Sequence, residues 1–289
     1  MGTPEPPRVC AATPWPLRRT AGLARSCHPG PVIAVTAITG ALGVSAGLDG
    51  VRCTLLVAAV LSGQLSVGWC NDAFDARRDA VAGRSGKPVA DGSVSGRAVW
   101  TAAFTAALLC VPLSLACGLL AAAVHLTAVA AAWAYNLRAK ATALSWLPYV
   151  IGFGSLPAVA ALTLPGSPGP AWWAVTAGAL LGLGAHLGDV LPDIEDDLRN
   201  GVNGLPQRLG TTATGLLLPV PLLAASAVLA LGPAGPPGRW GAVTLAAAVP
   251  VALAGLLLGR HRRKAPLAAA AVVAAADVML LLVRGAAPV

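Results

Sequence analysis

Acidic side chains fall into two short runs along the chain, and these are the residues best suited to chemistry. Eight of the twelve Asp and Glu residues lie in these runs. The first acidic run contains Asp72, Asp75 and Asp79, and the second acidic run contains Asp189, Asp193, Glu195, Asp196 and Asp197. Carboxylates placed so close together repel one another, and at a membrane boundary each is costly to desolvate. The runs therefore predict bound cations, and their many oxygen ligands favour a hard divalent ion such as Mg²⁺.

The spacing within each run predicts a shared helical face. Residues three, four or seven apart lie on one side of an α-helix. Arg77 and Arg78 are expected to point elsewhere on the turn and not to offset the acidic charge. A plain acidic loop is the alternative reading, but two such runs at matching helix ends favour a metal site. The predicted metal ligands are Asp72, Asp75, Asp79, Asp189, Asp193 and Asp197.

The composition predicts that the elements holding these residues are membrane helices. Apolar residues make up 56% of the 289 residues and charged residues only 11%, whereas a soluble domain has about 25% charged residues. The mean hydropathy is +0.72. These values exclude a water-soluble globule and a disordered chain. The six cysteines include no CxxC pair and indicate neither a zinc site nor a disulfide framework.

Apolar stretches predict nine membrane-spanning helices. The stretch 98–135 would be about 57 Å long as one helix, nearly twice the roughly 30 Å of a hydrocarbon core, so it must fold back near Cys117-Gly118. The stretch 141–188 breaks in the same way at residues 165–170. The apolar stretches cover 31–48, 53–70, 98–135, 141–188, 211–232, 240–259 and 265–283.

The basic residues predict the orientation. With nine spans and the N-terminus inside, 17 of the 20 Lys and Arg residues fall on the cytoplasmic side. This placement, rather than nucleic-acid binding, explains the net charge of +8. We expect an all-α integral membrane protein, a nine-helix bundle around a central cavity that opens to the cytoplasm, in the plasma membrane if the source is prokaryotic. The expected parts are a flexible cytoplasmic segment over 1–30, a membrane domain over 31–285 and a tail over 286–289.

The acidic runs and their surroundings resemble the UbiA superfamily of intramembrane prenyltransferases. Its members carry an NDxxDxxxD motif after helix 2 and a DxxxD motif after helix 6 of a nine-helix bundle. Asn71 together with the first acidic run matches the first motif in full, and Asp193 with Asp197 matches the second. Further matches are Arg84, Lys87-Pro88, the interval from Tyr135 to Lys140, and Gln207-Arg208-Leu209-Gly210.

The chain also departs from the family pattern at three positions. Asn203 stands where many members have Lys or Arg, and Lys87 stands for an Arg. Asp189 is an additional carboxylate one turn before Asp193. Its role as a third ligand or as a charge at the helix end stays open.

The resemblance implies a Mg²⁺-dependent enzyme of the membrane. It implies that a prenyl group passes from an isoprenyl diphosphate donor to an aromatic or other lipophilic acceptor, with membrane lipid around the bundle. The residues that it implies for catalysis, through the metal, are Asp72, Asp75, Asp193 and Asp197. The residues that it implies for diphosphate binding are Asn71, Arg84, Lys87, Tyr135, Arg138, Lys140 and Arg208.

Alternative readings remain at this point. A membrane terpene cyclase of the same architecture would ionise the diphosphate without an acceptor. A cation-coupled transporter is disfavoured, because transporter sites usually lie near the bilayer midplane. The roles of two lone ionisable residues inside spans also stay open. We expect His186 to bond a neighbouring helix and Asp277 to pair with Arg284, although either residue could be functional.

Overall fold

A computed structural model describes residues 15–81, 86–259, 261–262 and 264–285, and these residues form helices and no strands. The α-helices within them are α1 Trp15–Ser26, α2 Pro29–Ser45, α3 Gly50–Val81, α4 Gly96–Ala116, α5 Leu119–Leu137, α6 Leu147–Leu162, α7 Trp172–Val190, α8 Ile194–Arg199, α9 Leu205–Leu217, α10 Pro219–Leu231, α11 Arg239–Gly259 and α12 Ala265–Arg284.

Several of these helices are suited to a bilayer. Over the described residues, six helices are long and apolar enough to cross a membrane, or up to eight if two bent pairs each form one span. This confirms an all-α chain with several membrane-capable helices. The helix α6 has 16 residues, fewer than the ~20 that a full span needs. The nine-span count, the central cavity and the cytoplasmic N-terminus stay predictions.

The two long apolar stretches break where the sequence predicts. The helices α4 and α5 are separated at Cys117 and Gly118, and Gly118 has φ 112°. Between α6 and α7 the chain turns at Gly166, which has φ 79°. Residues with a Cβ rarely adopt such left-handed angles, so glycine is what allows the chain to reverse here.

The N-terminal segment contains a helix. The flexibility expected over residues 1–30 stays a prediction, and α1 covers 12 of these residues. It is held against α3 because the Trp69 indole Nε1 donates to the Leu23 carbonyl at 2.9 Å. Residues 1–14 and the predicted tail 286–289 lie outside the described residues.

The junction of α1 and α2 packs closely on α3. The end of α1 and α2 meet at a bend of 62°. A Cβ on Gly68 would lie 2.0 Å from the Cys27 carbonyl oxygen, so no larger residue fits without moving the backbone. Asp72 lies one turn beyond Gly68 on α3. The junction is therefore beside the first acidic run.

Two apolar clusters form the core of the bundle. The first includes buried Leu42 of α2 and Leu56 of α3, and it extends to residues of α6 and α7. The second joins α7, α10, α11 and α12 through residues that include Leu181, Leu222 and Val273. These clusters hold together the helices whose ends carry the acidic runs.

Asp277 bonds a neighbouring helix and not Arg284. It is fully buried on α12, and the Ser226 hydroxyl of α10 donates to its Oδ1 at 2.7 Å. The prediction of a pair with Arg284 is wrong, because that residue lies about 10 Å further along the helix axis. The Arg284 Nη2 lies against Gly241 of α11 instead.

We expect Gly68→Ala to lower the melting temperature of the purified protein. The new methyl group would press on the Cys27 carbonyl, and forced overpacking destabilises by about 1–3 kcal/mol. Gly152→Ala on α6 is the matched control, since a Cβ there meets nothing within 4 Å. Equal melting of both variants in detergent would contradict the close approach of α3 to the α1–α2 junction.

Candidate active site

The first acidic run lies on the buried side of α3. Asp72, Asp75 and Asp79 expose only 1%, 6% and 1% of their surfaces. The helix continues unbroken to Val81, so the three carboxylates share one side of it, as their spacing predicts. Three carboxylates in so little water need positive charge close by.

Two lysines from separate loops provide that charge. The Lys140 Nζ lies 2.5 Å and 2.7 Å from the two Asp75 oxygens. The Lys87 Nζ lies 3.3 Å from Asp72 Oδ1 and 3.8 Å from Asp79 Oδ2. Both lysines were predicted to contact a diphosphate, and here they neutralise the carboxylates predicted to hold metal.

Burial and the neighbouring carboxylate shift the pKa of Lys140 in opposite directions. Burial lowers the pKa of its ammonium group, and the adjacent Asp75 carboxylate raises the pKa again. Arg78 also contacts Asp75, with its Nη2 3.0 Å from Oδ2. The prediction that Arg78 points elsewhere on the turn is therefore wrong, because residues three apart on a helix are neighbours.

A 3₁₀ turn interrupts the helix that carries the second acidic run. The helix α7 ends at Val190 and passes through a 3₁₀ turn, Leu191–Asp193, before α8 begins. Pro192 occupies this turn and lacks the N–H that an α-helix requires. The regular α-helical spacing between Asp189 and Asp197 is therefore interrupted by one 3₁₀ turn, within a stretch that still counts as one membrane-capable helix, Trp172–Arg199. The shared face of this run stays a prediction.

The carboxylates of the second run are more accessible than those of the first. Asp189 and Asp193 are exposed and Asp197 is half-buried. The Gln207 amide donates to Asp197 Oδ2 at 2.9 Å. This contact connects the second run to the start of α9.

A bridging segment, residues 135–149, contacts both acidic runs. Its Lys140 bonds Asp75 of the first run. Its Tyr149 donates its hydroxyl proton to Asp189 Oδ2 of the second run at 2.7 Å. One short piece of chain, from the end of α5 to the start of α6, thus joins two motifs that lie more than a hundred residues apart in the sequence.

Tyr135, at the start of the bridging segment, lies within electrostatic range of both runs. The charges of Asp75, Asp189 and Asp197 all act on it. Its ring makes an edge contact with Tyr149, with centroids 5.2 Å apart. The two runs therefore face one region of the molecule.

The loop before α9 packs tightly on the bridging segment. A Cβ on Gly204 would lie 2.6 Å from the Lys140 carbonyl oxygen and 2.9 Å from Ser145 Oγ. The Ser145 hydroxyl accepts from the Leu205 N–H at 2.9 Å and lies 3.0 Å from His186 Nε2. His186 thus bonds a neighbouring segment, as expected for a lone histidine in a span.

The other predicted diphosphate ligands either bond a neighbouring segment or are exposed. The Asn71 amide donates to Asn136 Oδ1 of α5 at 3.1 Å. Arg138 and Arg208 are exposed, and the Arg208 Nε donates to a backbone carbonyl of the preceding loop. Arg84 lies outside the described residues. The roles of all four stay predictions.

The carboxylates fit a metal that binds together with its substrate. Among the described residues, no group of three or more His, Cys, Asp or Glu side chains forms a ready metal centre. However, Asp72 Oδ2 is buried and has no hydrogen-bond partner, so a cation there would satisfy an otherwise orphaned oxygen. Mg²⁺ usually takes one or two carboxylates and completes its coordination with water and substrate phosphates. The first run fits that mode of binding.

Sequence reasoning missed His28. Its Nε2 lies 3.4 Å from the Lys87 Nζ, and the charges of Asp72 and Asp189 act on its ring. A signal was present in the sequence. His28 stands before Pro29 at the start of the first apolar stretch, on the side of the membrane predicted for both acidic runs.

Comparisons with known proteins identify one family and several structures of similar fold. The sequence model of the UbiA prenyltransferase family matches residues 32–282. A UbiA homolog from Archaeoglobus fulgidus, solved bound to GPP and Mg²⁺, is 14% identical with a TM-score of 0.68, over 91% of this chain and 99% of that chain. The apo structure of a UbiA homolog from Aeropyrum pernix K1 is 20% identical with a TM-score of 0.65, over 90% of this chain and 98% of that chain.

A third similar structure comes from work on digeranylgeranylglyceryl phosphate synthase in membranes. It is 14% identical with a TM-score of 0.67, over 91% of this chain and 97% of that chain. No curated protein matches the sequence. At these identities the structural likeness establishes the fold.

We expect Lys140→Met to destabilise the metal-free protein by about 2 kcal/mol. Removing one partner of a buried ion pair typically costs about 3–5 kcal/mol, and Arg78 would still neutralise part of the Asp75 charge. Arg138→Met, two residues away and exposed, should leave the free energy of unfolding unchanged. The double variant Lys140→Met/Asp75→Asn should recover much of the loss. Melting curves with chelator present would test this, and equal stability of the two Met variants would contradict the ion pair.

Proposed function

The chain belongs to the UbiA prenyltransferase family, and on that premise we propose that it transfers a prenyl group from an isoprenyl diphosphate to a lipophilic acceptor within the membrane. The donor is the substrate class of the similar A. fulgidus structure with GPP and Mg²⁺. The acceptor is an aromatic or other small lipophilic nucleophile.

One observation carries this proposal. The bridging segment holds a cation, Lys140, on the first acidic run and a phenol, Tyr149, on the second. Both runs thus contact one segment, which supports a single site where carboxylates would hold metal and ammonium groups would bind phosphate. A transporter site or an acidic surface loop would not need both kinds of charge in one place.

The carboxylates are proposed to hold Mg²⁺. When bound, Mg²⁺ supplies positive charge to the phosphate oxygens of the leaving diphosphate. The buried oxygen of Asp72 without a partner supports a ligand role for the first run. The exposed Asp189 and Asp193 are open to a metal that arrives with the donor. The proposed ligands are Asp72, Asp75, Asp79, Asp189, Asp193 and Asp197.

The cationic and polar residues are proposed to stabilise the leaving group. As the bond between the prenyl carbon and its oxygen breaks, negative charge grows on the diphosphate, and preorganised donors lower the energy of that state. Lys87 and Lys140 would then exchange carboxylate oxygens for phosphate oxygens. The proposed diphosphate ligands are Asn71, Arg84, Lys87, Tyr135, Arg138, Lys140 and Arg208.

The prenyl cation needs a dry and electron-rich surrounding. The rings of Tyr135 and Tyr149 lie beside the acidic runs and offer π faces to a cation. An apolar groove of about 490 Å³ lies between α5, α6 and α7. Val150 and Ile151 line it directly after Tyr149, which supports this groove as the place of the prenyl tail. Water excluded there cannot quench the cation.

The site is proposed to open on the cytoplasmic side of an integral membrane bundle. In the nine-span arrangement the basic residues concentrate on the side of both acidic runs. In a prokaryote this bundle would lie in the plasma membrane, with lipid around the outward apolar faces of its helices.

Diphosphate release is expected to require Mg²⁺. Without a divalent ion the leaving group keeps its full charge beside carboxylates, and the barrier to its departure rises. Membranes containing the protein would be incubated with labelled prenyl diphosphates of several lengths, with and without excess chelator. Full turnover in chelator would overturn the metal role, and release without any acceptor would identify the terpene-cyclase alternative.

We expect Asp75→Asn and Asp193→Asn to lower turnover at least about a hundredfold. This corresponds to a loss of roughly 2.7 kcal/mol of transition-state stabilisation. Each change removes a charged oxygen ligand at nearly constant volume. Asp196→Asn is the matched control, since Asp196 is exposed and pairs with Arg199 at 2.7 Å. The measurement is kcat and KM for the donor, with melting curves to confirm folding. Near wild-type turnover in both folded variants would mean that the acidic runs are not the metal site.

A further inference from the structure

His28 is held in an unusual backbone conformation at the α1–α2 junction. It has φ 58° and ψ 67°, one of two non-glycine residues with positive φ among the described residues. Left-handed backbone is costly for most residues and persists where the surrounding structure requires it. The preceding carbonyl, of Cys27, is pressed on Gly68, which places the junction against α3.

The conformation brings the His28 ring to Lys87. The two nitrogen atoms are 3.4 Å apart, within hydrogen-bonding distance. An ammonium group only donates hydrogen bonds, so a hydrogen bond between them requires Nε2 as the acceptor, which corresponds to a neutral imidazole with its proton on Nδ1. The loop of Lys87 is also tied to α1, because the Arg25 Nη2 donates to the Gly86 carbonyl at 3.2 Å.

Lys87 therefore has two kinds of partner. Its ammonium group contacts the carboxylates of Asp72 and Asp79, and it contacts the neutral ring of His28. A cation bound to Asp72 would repel the ammonium group and take its place at the carboxylate. The contact with His28 involves no carboxylate, so it can persist through that exchange.

We propose that His28 is a positioning residue, which accepts a hydrogen bond from Lys87 and keeps this ammonium group at the acidic runs while metal and diphosphate bind. The proposal rests on the proposed function of the site. Lys87 then contacts the donor's diphosphate from a fixed position, and the left-handed turn before Pro29 is what aims the ring at it.

The proposal predicts an effect on the KM for the donor. A cation held in place before the donor arrives strengthens binding in the ground state and in the transition state alike. Loss of the His28 ring should therefore appear in the KM for the donor more than in kcat. A role in folding alone would lower the amount of active protein and leave KM unchanged.

Two variants of His28 test the proposal. His28→Gly removes the ring without backbone strain, since glycine adopts positive φ readily. His28→Gln keeps an acceptor oxygen at similar reach. We expect His28→Gly to raise the donor KM about tenfold or more, as for the loss of a hydrogen bond to a charged group, with kcat within about threefold. His28→Gln should recover most of this loss. The exposed His261, in the loop between α11 and α12, serves as the matched control in His261→Gly.

A double-mutant cycle with Lys87→Met tests whether His28 affects the donor KM through Lys87. If His28 acts through Lys87, His28→Gly should change KM little in the Lys87→Met background. An unchanged KM in His28→Gly, or an equal rise in both backgrounds, would overturn the proposal. Absence of diphosphate release from the wild-type protein would instead refute the proposed function, so the two failures are distinguishable.

Discussion

Three carboxylates on the buried side of one helix impose the constraint on which the site depends. Asp72, Asp75 and Asp79 are buried and close together, so the free energy of folding depends on positive charge beside them. Their own helix provides Arg78, and among the described residues Lys87 and Lys140 bring further positive charge from other parts of the chain. The need for these cations explains why two loops fold over the end of α3.

Close backbone approaches make that folding possible. Gly68 lets the α1–α2 junction lie on α3, and Gly204 lets the loop before α9 lie on the bridging segment. In both places a Cβ would meet a carbonyl oxygen at 2.6 Å or less. The site is therefore built from helix ends locked together by backbone contacts, which hold its charged side chains in place.

The metal-free ion pairs indicate how such a site remains stable between turnovers. The lysines neutralise the carboxylates in this metal-free structure, and under the proposed function they would contact phosphate once metal occupied the carboxylates. The charge of the site would then stay balanced in both states, because the donor would bring negative charge together with the metal. A neutral partner such as His28 fits this exchange, since it binds an ammonium group without competing for the metal.

The sequence by itself determined the membrane class, the two breaks in the long apolar stretches, the acidic runs and the family resemblance. These features depend on local composition, on helical periodicity and on residues such as Gly118 whose backbone angles are special. Only the tertiary structure decided which side chains meet. Lys140 pairs with Asp75 across 65 positions, and Asp277 bonds Ser226 of another helix. The position of His28 at the site was decided in the same way. Such contacts depend on how closely the helices pack and on how deeply each residue is buried in the bundle. The spacing of residues along the chain determines neither of these.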